Sequence, residues 1–589
     1  MNDVLQQLPP AQYDSLASQA ATSLSEGDLR KAEALCCEVL AADPTHPLAC
    51  FLQGTILDRR GQKQEAMLLL HKALERDANH PGIHHYLATI LKSLGEYRLA
   101  EQCLLRAISL DPRNPEVFVN LGTTYLVLAK YDQARDAFTS CLRLRPQDAA
   151  GLEGLANVHM REGNLKAAEH FFRSSLSANP QRTSVLNNLA NLVAQKGKID
   201  EAERFYLQAI VLEPGYTDAH FNLGNLYARS DCPEKAIGHY EIVVSLRPDF
   251  AAGWDTLGNA LSDAGRTEEA LARWERALAL EPCWAQVRWN RAIALLKLGH
   301  LREGWQEYEA RHEMPTLCPT RSFRSQAWRG EFFPGQTLLV TTEQGLGDMI
   351  QMIRYFPWVK ARGGSLFVEC KAPLTRLLQT CKEIDRVITH GDTLPEHDWH
   401  IPVMSLPRVF DTTLESIPSP VPYLGKSLSA DVAQRQKPLQ IGLAWAGNPT
   451  HMYDRRRSCP FASLLKLFEV EGVEWVSLQK SVPEHDVNGV RACSRLRYEH
   501  FDDFLATATL IKRLDLVISV DTAVAHLTGA LGIPIWILLA SAPDWRWLEN
   551  RVDSPWYPTV RLFRQRCLGD WTDVVEQVRT ELDRLQRSR

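Results

Sequence analysis

Apolar residues recur at helical spacing over roughly the first 310 residues, and the pattern returns every 34 residues. A buried-type alanine marks eight successive steps: Ala32, Ala66, Ala100, Ala134, Ala168, Ala202, Ala236 and Ala270. A proline series has the same period: Pro44, Pro112, Pro146, Pro180, Pro214, Pro248 and Pro282. So does a glycine series, in which Ala129 and Asp231 stand at two steps: Gly27, Gly61, Gly95, Gly163, Gly197, Gly265 and Gly299. Three series with one period predict a tandem array of a single structural unit.

Each predicted unit is a pair of short amphipathic helices. The glycine lies in the turn, the small alanine lets the two helices pack closely, and the proline ends the second helix. This pattern resembles the tetratricopeptide repeat (TPR) family over 13–312, with eight repeats from Tyr13 to Trp284 and a last helix pair from Ala285. The resemblance implies an all-α superhelix whose concave face binds an extended peptide or a partner helix.

Asparagines cluster on one face of the first helix in the later repeats. They occupy repeat positions 6 and 9: Asn120, Asn157, Asn188, Asn191, Asn222, Asn225, Asn259 and Asn290. Because asparagine inside a helix costs roughly 0.5–0.7 kcal/mol relative to alanine, the set suggests a compensating role. An amide that donates and accepts can hold a peptide backbone. The set resembles the asparagine ladder of O-GlcNAc-transferase TPR arrays, which implies an acceptor groove. In the alternative interpretation, these residues cap or bridge neighbouring repeats.

The pattern changes after His312. An aperiodic, proline-bearing linker follows, and from Thr337 short β-rich runs alternate with helical stretches, which predicts parallel α/β sheets. The predicted strands are 337–341, 365–369, 440–445, 475–478, 514–519 and 534–539. A break near 424–438 divides this half into two lobes. The predicted organisation is an N-terminal segment 1–12, an array 13–312, a linker 313–334, a first lobe 335–425 and a second lobe 426–589.

Three loops of the second half carry candidate chemistry. The first, Gly345-Leu346-Gly347-Asp348, follows the strand 337–341 and precedes a helix. It lacks the third glycine of a dinucleotide fingerprint and the Gly-Lys-Ser/Thr of a Walker A loop. Its carboxylate, Asp348, stands where open α/β sheets bind ligands. The alternative is that Asp348 only caps the helix.

The second loop, Asp521-Thr522-Ala523, joins a strand to a helix whose first amides suit a phosphate. His526 lies one turn further on and could face the same site, or could be a core histidine.

The third loop opens with Gly447-Asn448 and continues to Arg455, Arg456 and Arg457. Guanidinium groups near such a loop suit a diphosphate, whereas a solvated run of charge is the alternative.

Gly-Leu-Gly-Asp after the first strand, paired with Val-Asp-Thr-x-x-x-His-Leu near the end, resembles the heptosyltransferase-like glycosyltransferases of family 9 over about 335–565. The resemblance is strongest to the TPR-fused branch, which includes flagellin glycosyltransferases. It implies a GT-B fold of two Rossmann-like lobes, with Asp348 as catalytic base. It also implies that Asp521, Thr522 and His526 form the donor-diphosphate loop and that the loop 447–458 carries a basic phosphate contact. The family usually has glycine where this chain has Ala523, which narrows the room for a sugar diphosphate.

Composition limits the other classes of function. Sixty-six basic against 71 acidic residues give a net charge of −5, so neither nucleic acid nor an anionic membrane is an expected partner. No membrane-length apolar run and no signal peptide is visible. The 13 cysteines show no zinc spacing, and we expect a cytoplasmic protein with reduced thiols and no metal site.

The predicted function is transfer of a sugar from a nucleotide-sugar donor to a serine or threonine of a protein, with inversion and without a metal or other cofactor. The expected partners are the nucleotide sugar and an acceptor protein in the TPR groove, of which flagellin is one example. Two alternatives stay open. One is a TPR adaptor with a degenerate, non-catalytic GT-B domain. The other is a glycosyltransferase acting on a glycolipid or lipopolysaccharide precursor.

Overall fold

A computed structural model describes residues 10–317, 319, 321–426, 428, 438–450 and 454–588 of the chain. Most of the predicted N-terminal segment, and residues 429–437 of the predicted break between the lobes, lie outside these ranges. The described chain divides into two compact units, one up to Leu226 and the other from Tyr227 onward.

The N-terminal region consists of TPR repeats, each contributing two helices joined by a short turn. The first unit contains α1 (Pro10–Ser25), α2 (Leu29–Ala42), α3 (Pro47–Arg59), α4 (Lys63–Arg76), α5 (Pro81–Ser93), α6 (Tyr97–Leu110), α7 (Pro115–Val127), α8 (Tyr131–Leu144), α9 (Ala149–Arg161), α10 (Leu165–Ala178), α11 (Thr183–Gln195) and α12 (Ile199–Leu212). Helix α13 (Thr217–Arg229) contains the division. The second unit continues with α14 (Pro233–Leu246), α15 (Ala251–Asp263), α16 (Thr267–Leu280), α17 (Ala285–Leu298) and α18 (Leu301–Glu307).

The sequence series have direct structural counterparts. All eight alanines of the series are fully buried, so no larger side chain fits between the paired helices. The seven glycines of the series all have a left-handed backbone, with φ between 76° and 90°. At the two exceptional steps, Ala129 (φ 56°) and Asp231 (φ 55°) adopt the same conformation despite carrying a Cβ. A residue with left-handed backbone geometry therefore recurs in the turn of each repeat at the 34-residue period.

The C-terminal region contains two sheets in which every strand pair is parallel. The first sheet is made of β1 (Gln326–Ala327), β2 (Thr337–Thr341), β3 (Ser365–Cys370), β4 (Arg386–Thr389) and β5 (Trp399–Pro402), in the order β1-β5-β2-β3-β4. The second is made of β6 (Leu439–Ala444), β7 (Val473–Ser477), β8 (Leu496–Tyr498), β9 (Leu516–Val520), β10 (Ile535–Leu539) and β11 (Val560–Arg564), in the order β11-β10-β9-β6-β7-β8.

Short helices connect these strands, and a longer one ends the described chain. They are α19 (Leu346–Met352), α20 (Phe356–Lys360), α21 (Thr375–Leu378), α22 (Leu406–Val409), α23 (Asp454–Arg457), α24 (Phe461–Leu464), α25 (Val487–Ala492), α26 (Phe504–Ile511), α27 (Ala523–Ala530) and α28 (Thr572–Arg587). The expected parallel α/β class is confirmed. All six predicted strands correspond to observed strands, whereas β1, β4, β5, β8 and β11 were not predicted.

One continuous apolar core joins the last repeat helices to both sheets. Trp305 of α18 packs edge-on against Trp545, with ring centroids 5.1 Å apart, and both rings are fully buried. Trp545 also contacts Trp556. In the described part of the chain, no helix combines the length and apolarity needed to cross a membrane.

The left-handed turn of Ala129 gives a direct test of the repeat geometry. Ala129→Gly should raise the urea midpoint of the helical signal, because it removes strain of about 1 kcal/mol from a non-glycine residue at positive φ. Gly163→Ala should lower the midpoint by a similar amount, since Gly163 has φ 76° and open space around its Cα. Equal midpoints for both variants and the wild type would contradict this account.

Candidate functional site

The strand orders place the predicted motifs at equivalent points of the two sheets. In the second sheet, the order β8-β7-β6-β9-β10-β11 reverses its direction of growth between β6 and β9. In the first sheet the same reversal falls between β2 and β5. Open parallel sheets bind ligands beyond the carboxyl ends of the strands at such points. The loop with Asp348 follows β2, the loop with Gly447 follows β6, and Asp521 follows β9.

The motif of the first sheet lies directly against the motif of the second. A Cβ on Gly347 would come 2.8 Å from Cδ2 of His526 and 3.6 Å from Cα of Ala523. Only glycine therefore permits this approach of α19 to α27, and this explains Gly347 without any ligand. Gly345 immediately precedes α19 as its N-cap, and its backbone N–H donates to Asp348 Oδ2 at 2.5 Å.

Both oxygens of Asp348 have partners. Oδ2 accepts from Gly345, as the helix-capping alternative expects, and Oδ1 accepts from the guanidinium of Arg546. Arg546 is 8% exposed, and it also donates to Asp544 at 2.6 Å and to Gln351 Oε1 at 2.9 Å. Burial opposes its charge, but the carboxylates of Asp544 and Asp348 raise the pKa of Arg546 above its ordinary value. Asp348 is thus a paired carboxylate with 14% side-chain exposure.

Asp521 and His526 lie in the same buried cluster. Burial and, next, the charge of Asp544 raise the pKa of Asp521 to about 6, while Arg546 acts in the opposite direction. Burial lowers the pKa of His526 well below its usual value, with further lowering by nearby arginines. Its Nδ1 lies 2.9 Å from the hydroxyl of Tyr557, and its Nε2 lies 3.9 Å from Asp521. The core-histidine interpretation therefore describes His526 best, as a neutral ring at the wall of the site.

The start of α27 lies at the carboxyl end of β9. Thr522 precedes the helix, and its hydroxyl is 3.1 Å from that of Ser519. Ala523 is the first helical residue, and its Cα is close to Gly347. The first turn of α27 therefore points toward the loop that carries Asp348.

The three consecutive arginines have different surroundings. Arg455 is exposed. Arg456 forms ion pairs with two aspartates of the repeats. Arg457 pairs with Asp454 at 3.3 Å and lies close to Gly447, where a Cβ would come 2.5 Å from its Nη2. Of the three, Arg457 is therefore the one at the turn after β6, where its charge also favours ionised Asp521.

The rest of that loop is only partly described. The N–H of Gly447 donates to Ser458 Oγ at 3.0 Å. Asn448 folds back on its own turn, where its side chain accepts from the N–H of Thr450 at 3.1 Å. Residues 451–453 of the predicted loop lie outside the described ranges. Within those ranges, no cluster of three histidine, cysteine, aspartate or glutamate side chains could hold a metal ion.

Several of the predicted groove asparagines bridge repeats of the same unit. In the first unit, Asn120 contacts His85 at 2.7 Å, and Asn222 donates to Asn187 at 3.0 Å. In the second unit, Asn290 donates to Asn259 at 2.9 Å and to Asp255 at 3.2 Å. These contacts favour the bridging interpretation for Asn120, Asn222 and Asn290. Asn225 is half-buried on α13.

Asn157, Asn188 and Asn191 line an open cavity of about 470 Å³ in the first unit. Its walls combine amides with apolar side chains and one guanidinium: Leu126, Val127, Asn157, Met160, Arg161, Phe172, Asn188 and Asn191. Asn191 also accepts from the hydroxyl of Tyr206 at 2.5 Å, which orients its amide. This cavity is where the asparagine face could meet a bound peptide.

Arg546 is the central residue that the sequence did not reveal. It lies in Asp544-Trp545-Arg546-Trp547, a segment outside the three predicted loops. The structure buries both of these indoles in the core and brings the guanidinium to three carboxylates. In the sequence, an arginine between two tryptophans is the feature that could have indicated a buried guanidinium.

Comparisons with known proteins locate TPR sequences across the N-terminal region. Residues 119–183 and 256–310 match the family described as tetratricopeptide repeat, and residues 190–231 match that described as TPR repeat. Residues 25–107 match the family described as anaphase-promoting complex, cyclosome, subunit 3. The N-terminal region therefore contains TPR repeats, a class of repeat whose concave surface generally binds extended partners.

Protein FlbA of Caulobacter vibrioides (strain ATCC 19089 / CIP 103742 / CB 15) is 28% identical over 331 residues, which are 51% of this chain and 55% of FlbA. The chain thus spans about half the length of this curated relative. A TPR protein from Parabacteroides merdae ATCC 43184 is 21% identical, with a TM-score of 0.37 over 42% of this chain and 98% of that one. PilF of Pseudomonas aeruginosa is 22% identical, with a TM-score of 0.33 over 37% and 97%.

The raised pKa of Asp521 predicts a pH-dependent penalty on folding. An unfolded aspartate ionises near pH 3.8, whereas Asp521 in the fold ionises near pH 6, so its contribution to stability falls between these values as pH rises. Asp521→Asn should gain stability over the wild type by roughly 1–3 kcal/mol between pH 4 and 7, measured by urea unfolding.

The matched control is Asp553→Asn. Arg551 lowers the pKa of this exposed carboxylate, so removing it should produce a small offset of the opposite sign. If the difference in unfolding free energy between Asp521→Asn and the wild type did not change with pH, the raised pKa of Asp521 would be refuted.

Proposed function

We propose that the two sheets form a GT-B-like glycosyltransferase that moves a sugar from a nucleotide-sugar donor to a hydroxyl of a protein held by the TPR repeats. The observation that carries the proposal is the direct approach of Gly347, one residue before Asp348, to Ala523 at the start of α27. A carboxylate at the reversal point of one sheet thereby lies beside a helix start at the reversal point of the other.

Under this proposal the donor diphosphate binds at the first turn of α27, where helix amides favour an anion. Arg457 would neutralise part of its charge from the turn after β6. These groups stabilise the leaving nucleotide as the bond between the anomeric carbon and the phosphate oxygen breaks, with its electron pair going to the phosphate. No metal ion takes part in this scheme.

Asp348 is the proposed general base. The guanidinium of Arg546 holds the Asp348 carboxylate in place beside the start of α27. As the acceptor hydroxyl forms its bond to the anomeric carbon from the opposite face, its proton passes to Asp348, and the configuration inverts. Asp348 would have to exchange its contact with Gly345 for one with the acceptor hydroxyl.

The same contacts favour the second candidate, an adaptor with a non-catalytic α/β region. Arg546 and the N–H of Gly345 already satisfy both oxygens of Asp348, and His526 is held neutral against Gly347. A cluster so fully paired can be purely structural. The two candidates differ in nucleotide binding, which the adaptor does not need.

A nucleotide panel separates the two candidates. Calorimetric titration of the full chain with UDP, GDP, ADP, TDP and CMP should show saturable binding of one class, and the corresponding nucleotide sugar should be hydrolysed slowly. Asp348→Asn should keep nucleotide affinity within a few-fold and lower the hydrolysis rate by about 10²–10⁴-fold, the usual contribution of a general base.

The matched control is Asp392→Asn, which neutralises an exposed carboxylate of the first sheet's loops. Hydrolysis by Asp348→Asn at the wild-type rate would remove Asp348 from the base role. Absence of binding by every nucleotide would favour the adaptor.

We further propose that the cavity at Asn157, Asn188 and Asn191 holds the acceptor chain through its backbone. Amides that contact a backbone tolerate many sequences. Peptides selected from a random displayed library on the wild type should therefore lose affinity together, whatever their sequence, in the variant Asn188→Ala/Asn191→Ala. Asn179→Ala, at an exposed turn after α10, is the control. Unchanged affinity in the double variant would contradict the backbone-binding role.

A further inference from the structure

In the second unit, the repeats contact two loops that carry the candidate site. One is the loop after β6, through Arg456. The other is the segment 540–550 after β10, through Glu549, and this segment also carries Arg546. Both contacts are made by charged side chains of the repeats, outside the groups that the proposed reaction uses.

The first contact involves a departure from the repeat pattern. Arg456 donates to Asp231 at 2.6 Å and pairs with Asp263 at 3.0 Å. Asp231 stands where most other repeats have glycine, and it keeps the left-handed φ of 55°. A non-glycine residue in this region is held there by its surroundings. Asp231, the carboxylate that replaces glycine, therefore binds Arg456 in the loop after β6.

The second contact is more deeply buried. Lys297 of α17 is 5% exposed, and its Nζ lies 2.9 Å from Glu549 Oε1. The hydroxyl of Thr267 donates to the same oxygen at 2.5 Å. Glu549 lies between Leu548 and Asn550, both of which have positive φ values of 51° and 54°. Lys297 and Thr267 thus bind Glu549 in the middle of a strained stretch of backbone.

Each contact leads to the candidate site within a few residues. Arg456 precedes Arg457 in α23. Glu549 follows Trp547, whose indole stacks on His526 with centroids 5.3 Å apart, and Arg546, which holds Asp348. The loops after β6 and β10 thus receive their positions from the repeats as well as from their own sheet.

We propose that Asp231, Asp263 and Lys297 are positioning residues, through which the repeats fix the two loops and thereby the start of α27 at the site. The link to nucleotide affinity rests on the proposed function. The positioning role does not rest on the proposed function, because it concerns the structural order of residues 521–527. None of the three residues touches that segment.

The test is hydrogen exchange of the full chain with and without UDP, GDP, ADP, TDP and CMP. Two variants remove the contacts: Asp231→Asn/Asp263→Asn, and Lys297→Met/Glu549→Gln, which removes both charges of the buried Lys297–Glu549 pair together. Asp411→Asn is the control, since it weakens the exposed Arg302–Asp411 pair between the repeats and the turn after α22, which belongs to neither of the two loops. Exchange should quicken at 454–458 or 540–550 and also at 521–527, while α28 keeps its protection.

Nucleotide affinity should fall by roughly 5- to 150-fold, the usual range of coupling between sites. Arg456→Lys, which keeps the charge, should retain more affinity than Arg456→Met. Unchanged exchange at 521–527 while the loops loosen would overturn the proposal, and so would an equal loss of protection at α28. If the wild type binds no nucleotide, the proposed function fails, and exchange at 521–527 alone decides the positioning role.

Discussion

The guanidinium of Arg546 is the charge on which the C-terminal site depends. It is buried among Asp348, Asp544 and Asp521, three carboxylates within reach of one cation. Two unit charges 4 Å apart interact by about 4 kcal/mol at an effective dielectric constant of 20, so three unopposed carboxylates could not stay ionised together. Burial, and next the charge of Asp544, raise the pKa of Asp521 even though Arg546 acts in the opposite direction. Arg546 also joins the sheets, because it lies after β10 and binds a residue of α19.

This charge arrangement depends on a steric one. Gly347 lets α19 approach α27 so closely that His526 and Ala523 form its contact surface. A larger residue would separate the helices and would move Asp348 away from Arg546. The buried neutral ring of His526 fills this contact without adding a second cation beside Arg546. The two motifs that resemble a glycosyltransferase are therefore also a packing unit, and packing alone accounts for Gly347 and His526.

The sequence predicts well where structure is local and repeated. The alanine series that starts at Ala32 predicts helix pairs, because every repeat packs only against its neighbours. The same small residue therefore recurs at the same helix–helix contact in each repeat. Strands β2, β6 and β9 were predictable as apolar runs in buried parallel sheets. By contrast, β5 reads Trp399-His400-Ile401-Pro402, and a run that contains histidine and proline carries no strand signal.

The site divides along the same line. The positions of Asp348 and Asp521 at the ends of strands were predictable, because each follows an apolar run at a fixed, local spacing. The partners of Arg456 and Arg546 were not, because they lie about 200 residues away along the chain. Asn120 and Asn290 were placed on the correct helices, but a shared face does not reveal whether an amide turns toward a peptide or toward the next repeat.

The charge balance also constrains what the site can bind. A nucleoside diphosphate brings negative charge to a cluster in which Arg546 already serves several carboxylates. Binding is favourable only if the carboxylates lose charge or if further cations approach. Burial and, next, the charge of Asp544 raise the pKa of Asp521 to about 6, and Arg457 is the next guanidinium at the turn after β6. Under the proposed function, Asp521 and Arg457 are therefore the groups whose charge matters most for an incoming diphosphate, and Arg456 anchors the loop of Arg457 to the repeats. In the second unit, the short helix that carries Arg457 is thus held both by its own sheet and, through Arg456, by two carboxylates of the repeats.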